Sequence, residues 1–203
     1  ADNSGTLSYV SIRHGGANIG DGNEINGLTM GGVGSGTTIN NIEIVANQDD
    51  GIEWFGGSVS LNNVLVWNCG DDALDTDQDW IGTCSDFIIV TPNGSAFELD
   101  GPEGSLNRGT HQFNNGIVYA GSSISDLVDW DSNTNAGVSN VYFYGIEATY
   151  SDGISSFGGD GSGINSGWEY TLPAGAVADS VFKSVPTAIL TEVVANQNTV
   201  GPD

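Results

Sequence analysis

The side chains of this sequence with the most chemistry to offer are carboxylates, and they are clustered. The densest run is Asp71-Asp72-Ala73-Leu74-Asp75-Thr76-Asp77-Gln78-Asp79, in which Asp75, Asp77 and Asp79 alternate. Read as a loop, this alternation lets hard oxygens converge on one cation, and calcium takes six to eight oxygen ligands at about 2.3–2.6 Å. Asp86 even falls at the last ligand position of an EF-hand-like run begun at Asp75. However, Trp80 stands where that loop needs glycine, and no helices flank it. A calcium site on a turn is the metal reading that remains. A second cluster, Asp126, Asp129, Asp131, Asn133 and Asn135, repeats the alternating oxygens with less charge. A third is the pair Asp49-Asp50. The metal candidates are therefore Asp71, Asp72, Asp75, Asp77, Asp79, Asp129, Asp131 and Asn133, with Ca2+ as the expected structural cofactor.

The overall charge sets the same question on a larger scale. The 203 residues carry 26 Asp plus Glu against 3 Lys plus Arg, a formal net charge of −23. The cations are Arg13, Arg108 and Lys183. Nucleic-acid binding needs several phosphates neutralised at once, so it is excluded as a function class. Anionic membrane surfaces are disfavoured on the same ground, and no apolar run reaches the roughly 18 residues of a membrane span. Charged residues make up only 14 % and apolar residues 38 %, with five Trp and seven Phe, so the chain can bury a core. Cys69 and Cys84 are expected to form a disulfide that staples the acidic run, with two buried free thiols as the alternative. The acidity, the scarcity of lysine and the abundance of Asn, Gly, Ser and Thr point to an extracellular or cell-surface setting.

What must position these carboxylates is a repeat. Thr38-Ile39-Asn40-Asn41-Ile42-Glu43-Ile44-Val45 aligns with Ser60-Leu61-Asn62-Asn63-Val64-Leu65-Val66-Trp67 at an offset of 22 residues. The same offset lays Asp49-Asp50-Gly51-Ile52 over Asp71-Asp72-Ala73-Leu74. Asp50-Gly51-Ile52-Glu53-Trp54-Phe55-Gly56-Gly57 recurs as Asp152-Gly153-Ile154-Ser155-Ser156-Phe157-Gly158-Gly159. Within each copy Ile42/Ile44, Val64/Val66 and Val141/Phe143 alternate with polar residues, the period of a half-buried strand. Gly, Asn and Asp clusters separate the strands, and glycine is in excess at 31 residues. Short strands repeating at this period predict a β-solenoid, in which like residues stack on like at about 4.8 Å. Asn41, Asn63, Asn115 and Asn140 are expected to stack as an internal amide ladder. Stacking Asp49-Asp50 on Asp71-Asp72 costs repulsion unless a cation, a proton or solvent relieves it.

On these repeats the chain resembles the right-handed parallel β-helix of pectate-lyase type, in the Gly- and Asp-rich form of secreted and surface proteins of bacteria. The resemblance covers residues 5–167 and implies an all-β solenoid of about seven rungs. Residues 168–203, with fewer turn clusters and a helix-like spacing in Ala176–Phe182, are expected to form a cap or a docking segment. The N-terminal end shows no such cover.

The resemblance also implies candidate chemistries. Pectin hydrolases of this fold use clustered Asp as acid and base, and Asp49, Asp71 and Asp72 resemble part of that arrangement. Their Gly-His-Gly and Arg-x-Lys motifs are absent. His14 and His111 read as rung-edge turn residues. The lyases of the fold need a basic group, and Arg13 and Arg108 are the candidates. The five Trp could stack in the core, on a partner or on a sugar ring. The expectation is therefore a non-catalytic extracellular structural or adhesive module, calcium-stabilised. It would self-associate end to end into a fibre, or adjoin neighbouring domains of a larger surface protein. The alternative is a glycoside hydrolase, a polysaccharide lyase or a glycan-binding module of the same fold.

Overall fold

The computed structural model describes residues 2–20, 25–150, 154 and 156–202. In chain order the strands are β1 (Thr6–Arg13), β2 (Leu28–Gly31), β3 (Thr38–Val45), β4 (Ile52–Gly57), β5 (Leu61–Trp67), β6 (Leu74–Trp80), β7 (Thr83–Val90), β8 (Phe97–Leu99), β9 (His111–Tyr119), β10 (Asp129–Trp130), β11 (Ala136–Tyr144), β12 (Ser166–Tyr170) and β13 (Leu190–Glu192). They form two sheets. The long sheet has the order β1-β3-β5-β7-β9-β11-β12-β13, and the short sheet β2-β4-β6-β8-β10. All pairings are parallel. The chain thus coils through about six turns of a β-solenoid, slightly fewer than the seven expected.

The register follows the offset read from the sequence. Ile39 pairs with Leu61, Ile42 with Val64 and Ile44 with Val66 in the long sheet, and Ile52 pairs with Leu74 in the short one. The recurrence at Asp152, Gly153 and Ser155 lies outside the described residues. Ile154, which the repeat matches to Ile52, is buried in the core.

Each long strand from β1 to β12 turns a corner at one left-handed residue. The column is Tyr9, Asn41, Asn63, Asp86, Asn115, Asn140 and Gly167, with φ between 53° and 65°. Asn, Asp and Gly adopt this conformation at low cost, which explains the Asn-led strand starts in the sequence. The amide ladder, however, is not internal. The corner turns two successive side chains outwards, Asn40 and Asn41, between the buried Ile39 and Ile42. The ladder therefore runs along the outer rim. Asn63 Nδ2 donates to Asn41 Oδ1 (3.3 Å), and Asn115 Nδ2 donates to Asp86 Oδ1 (2.5 Å). Asp86, the imagined last ligand of a metal loop, is engaged here, on the long sheet.

Inside, the inward residues of the two sheets meet in one apolar column. Trp54 and Trp80 stack with ring centroids 4.6 Å apart, and Phe113 packs against both at 5.9 and 5.7 Å. Four of the five Trp are buried in this column; Trp67 alone faces out, 50 % exposed. The C-terminal segment closes one end. β12 crosses the expected boundary at 167/168 and β13 adds a further strand. A single helical turn, α1 (Ala178–Val181), then lays Val181, Phe182 and Val185 over Phe143, Trp168 and Tyr170. At the other end Leu7, Val10, Ile12 and Leu28 are only partly buried, and β1 and β2 are the outermost strands of their sheets. Among the described residues no helix is long and apolar enough to cross a membrane.

The corner makes a stability prediction. At Asn63 (φ 57°) a glycine keeps the bend at little cost, whereas a β-branched residue does not. Asn63→Gly should shift the urea-unfolding free energy by no more than a few tenths of a kcal/mol, and Asn63→Val should lower it by about 1–2 kcal/mol.

Candidate functional site

The acidic run is a strand, not a loop. Residues 74–80 form β6, so Leu74 and Thr76 point into the core while Asp75 and Asp77 point out. Side chains two apart on a strand share a face but stand roughly 6.6 Å apart, too far to ligate one ion as neighbours in a loop would. Convergence happens instead between turns of the solenoid. On the outer face of the short sheet Glu53, Asp75, Glu98 and Asp129 occupy one register column. Beside it Phe55 pairs with Asp77, and the ladder continues to Asp100 and Asp131 through Asp100 N–H donating to Thr76 O (2.9 Å) and Asp131 N–H to Leu99 O (3.1 Å). Parallel pairing holds successive members about 4.8 Å apart.

The turn that leads into the short sheet adds a third acidic column. Asp72 N–H donates to Asp50 Oδ1 (3.0 Å), and Ser95 N–H donates in turn to Asp72 Oδ1. Each carboxylate thus accepts from the backbone of the next turn, which fixes the turns in register. Among the described residues two groups of carboxylates converge, with one oxygen from each member lying within 4.8 Å of the others. They are Asp50, Glu53 and Asp75, and Asp49, Asp50 and Asp71. Asp50 belongs to both. Two oxygens bound at about 2.4 Å to one calcium are at most about 4.8 Å apart, so both groups have the spacing of a shared hard cation. The donors are all carboxylate oxygens, which suits calcium or magnesium and not a soft metal.

The electrostatics of these columns are unfavourable in the bare protein. Burial, then the neighbouring Asp72 and Asp49 charges, push Asp50 from an ordinary 3.8 up to about 8. Asp75, Glu53 and Glu98 are likewise driven upwards, first by burial and then, for Asp75, by the Asp50 charge and, for Glu98, by the neighbouring Asp72 carboxylate. Asp100 rises to about 6, first by burial and then by the Asp131 charge. Glu53 and Asp75 lie in hydrogen-bonding contact, which at neutral pH requires a proton between them. Asn26 Nδ2 also donates to Glu53 Oε2.

The remaining candidates separate from this centre. Asp79 is withdrawn by Arg108, whose Nε donates to Asp79 Oδ2 (2.8 Å) and whose Nη2 donates to the Asp79 carbonyl (2.8 Å). Asp77, Asp129 and Asp131 stay on the acidic face but fall in neither convergent group. Asn133 packs against Gly101, with its amide directed at the Pro102 carbonyl (3.5 Å), and Asn135 is held by Asn107 and Gly109. Of the hydrolase candidates, Asp49 and Asp71 converge, while Asp72 serves as a turn acceptor. Arg13 lies on the long sheet, paired with Glu43 at 2.6 Å. Glu53, Glu98 and Asp100 were not singled out from the sequence. The 22-residue offset, carried one residue past Leu74, places Glu53 over Asp75 and would have found the first of them.

The expected disulfide is not formed. Cys69 and Cys84 are both free and buried. Cys84 points into the core from β7, pairing in register with Leu61 of β5, while Cys69 sits in the turn after β5 with its Sγ directed at the carbonyls of Asp71 (3.4 Å) and Asp72 (3.3 Å). One thiol thus lies in a turn and the other inside a strand of the next turn of the coil. His14 is a left-handed turn residue at a rung edge as read. His111 is not: it is buried against Trp80 and Phe113, and burial pulls it down to about 4.

Two outcomes follow. Unfolded in denaturant without reductant, the chain should titrate two thiols with Ellman's reagent, and the native protein should react far more slowly. The raised carboxyls also set a pH dependence with a definite sign. A carboxyl whose folded value exceeds its unfolded one favours folding when protonated. That contribution is full below about 4 and is lost as pH rises towards the folded value, about 8 for Asp50. In chelator, thermal unfolding at pH 5 should therefore occur at least about 5 °C above that at pH 8.

Between β8 and β9 the segment 101–110 folds beside the acidic face and closes a cleft of about 320 Å³ lined by Phe55, Asp79, Leu106 and Arg108 among others. Comparison with known proteins bears on the fold that carries these features. No curated protein and no solved structure matches the chain. One family model does, that of the pectate-lyase-like beta helix domain, over residues 1–136. With two stacked sheets, a common register and that match over more than half its length, the chain belongs to the pectate-lyase-like beta helix domain family.

Proposed function

We propose that this β-helix is a non-catalytic structural or adhesive module of secreted or cell-surface proteins, and that calcium bridges its stacked carboxylates. The observation that carries the reading is the convergence of Asp50, Glu53 and Asp75 from two successive turns. All three are largely shielded from water, and their mutual repulsion is unrelieved by any basic side chain in the group. Burying like charges this closely is costly unless protons or a cation intervene. A divalent ion there would tie successive turns together and stiffen the coil along its axis. β1 and β2, the outermost strands of their sheets among the described residues, are where a second copy or a neighbouring domain would add strands, giving end-to-end growth. The family's usual setting in secreted proteins supports the location.

A second reading has one specific observation behind it: the cleft beside Asp79, which adjoins the acidic columns. In that reading the protein is a glycoside hydrolase, a polysaccharide lyase or a glycan-binding module, with Asp79 and Glu103 as the carboxylates that line the cleft. The state of the cations weighs against a lyase. Arg108 is bound to Asp79 and Arg13 to Glu43, so neither is poised to take a proton.

One set of measurements separates the two. At pH 7.5, millimolar calcium should raise the unfolding temperature by several degrees, and chelator should reverse the rise. Asp75→Asn should shrink that response, and a glycan-digestion screen should show no turnover. Sedimentation velocity in the same buffers reads self-association. Turnover that Glu103→Gln abolishes without loss of fold would instead establish the enzyme, and an unfolding temperature indifferent to calcium would remove the structural-cation reading.

A further inference from the structure

The outer face of the long sheet carries a feature that the carboxylate columns do not explain. Trp67, Val90, Tyr119 and Tyr144 follow one another in register on β5, β7, β9 and β11. They point away from the core, since their neighbours Val66, Ile89, Val118 and Phe143 point into it. Trp67 is 50 % and Tyr119 37 % exposed. A large apolar side chain alone on a surface means little, but a row of rings in register is a patch.

The tyrosine rings are held in place. Tyr119 packs directly over the backbone of Gly145, where a Cβ would fall 2.4 Å from its Cε2. Its edge meets Tyr144 at 5.0 Å, and Tyr144 stacks on Tyr142 at 5.1 Å with the rings 2° from parallel. The Tyr142 hydroxyl is fixed by Thr171 Oγ1 (2.8 Å). A platform fixed in this way loses little side-chain freedom when it is covered.

The patch is also uncharged, in a chain whose formal net charge is −23. The residues of its register column from Val45 to Tyr144 carry no ionised group. In the adjoining column Glu43 is neutralised by Arg13 at 2.6 Å, and Glu169 accepts from the Thr199 N–H (2.6 Å) and hydroxyl. A polyanion would be repelled by the acidic molecule as a whole. What suits a row of uncharged rings is a neutral polymer with flat apolar faces. Trp67 and Tyr119 lie two turns apart, about 9.6 Å at the parallel-strand spacing, which is about the length of a disaccharide unit in an extended glycan. Asn68, exposed and next in sequence to Trp67, adds a polar group at the adjoining corner.

We propose that this strip is a docking site for a neutral glycan chain lying across the strands, with Trp67 and Tyr119 as its two stacking platforms. It is on the other sheet from the carboxylates, so it stands or falls separately from the cation reading and from the cleft beside Asp79.

The test uses the fact that the other four Trp are buried, so that acrylamide quenching of the native protein reports Trp67. The probes are cellohexaose, mannohexaose and maltohexaose, with hexagalacturonate as the charged control. At least one neutral hexasaccharide should protect Trp67 from acrylamide, and calorimetry should give an affinity that falls at least tenfold in Tyr119→Ala. Trp67→Ala should do the same, with Ile164→Ala, an exposed apolar residue elsewhere, unchanged. Circular dichroism checks that each variant folds, and the protection measured on the unaltered chain needs no variant. Three results would overturn the proposal: no protection by any neutral probe, binding indifferent to both substitutions, or concentration-dependent dimerisation that Trp67→Ala abolishes, which would give the face to a second copy.

Discussion

Everything in this molecule depends on parallel backbone pairing between successive turns. Once Ile42 must pair with Val64, and Ile52 with Leu74, every residue between them is committed to stand over its counterpart about 4.8 Å away. The consequences are good for apolar side chains and poor for charged ones. Ile52 stands over Leu74 and Ile44 over Val66 in one continuous buried column. Asp50 meets Asp72, and Glu53 meets Asp75, with nothing basic between them. The same constraint that builds the core therefore builds the electrostatic problem on the acidic face.

How the chain manages that problem is visible in the separate fates of its acids. Asp72 spends its lone pairs on the backbone of the next turn, and Asp86 accepts amides from the rim ladder. Asp79 and Glu43 are each matched by an arginine. What is left is a compact set, Asp50, Glu53, Asp75 and Glu98, whose burial and proximity hold protons well above the ordinary carboxylate range. Protons relieve the repulsion within such a set, and under the proposed function calcium would compete with them for it. This is why a formal charge of −23 overstates the charge the folded protein carries in water.

Much of this was legible in the sequence, and the failures have physical causes. The fold could be read because a solenoid repeats its own pattern, and the 22-residue offset alone sets the register from β3 to β6. The left-handed corners could be read as Asn-led strand starts, but not their direction, because whether a corner turns its side chains in or out is decided by the residues on both sides of it. The acidic run was read as a loop because alternation of Asp with Ala, Leu, Thr and Gln looks like a ligand pattern. Alternation is equally the signature of a strand, and Leu74 and Thr76 are its inward half. The cysteines are close in sequence, but the coil puts one in a turn and the other inside a strand of the next turn. Glu98 and Asp100 belong to turns of a different length, so a fixed offset does not reach them.

The central claim is that the acidic face holds its charge by exchanging protons for calcium. Calorimetric titration of the chelator-treated protein with calcium at pH 7, repeated in buffers of different ionisation enthalpy, measures that exchange directly. The account predicts saturable binding with about one proton or more released per calcium, because the carboxyls that bind it are partly protonated beforehand. Saturable binding with no proton release, or no binding at millimolar calcium, would contradict it.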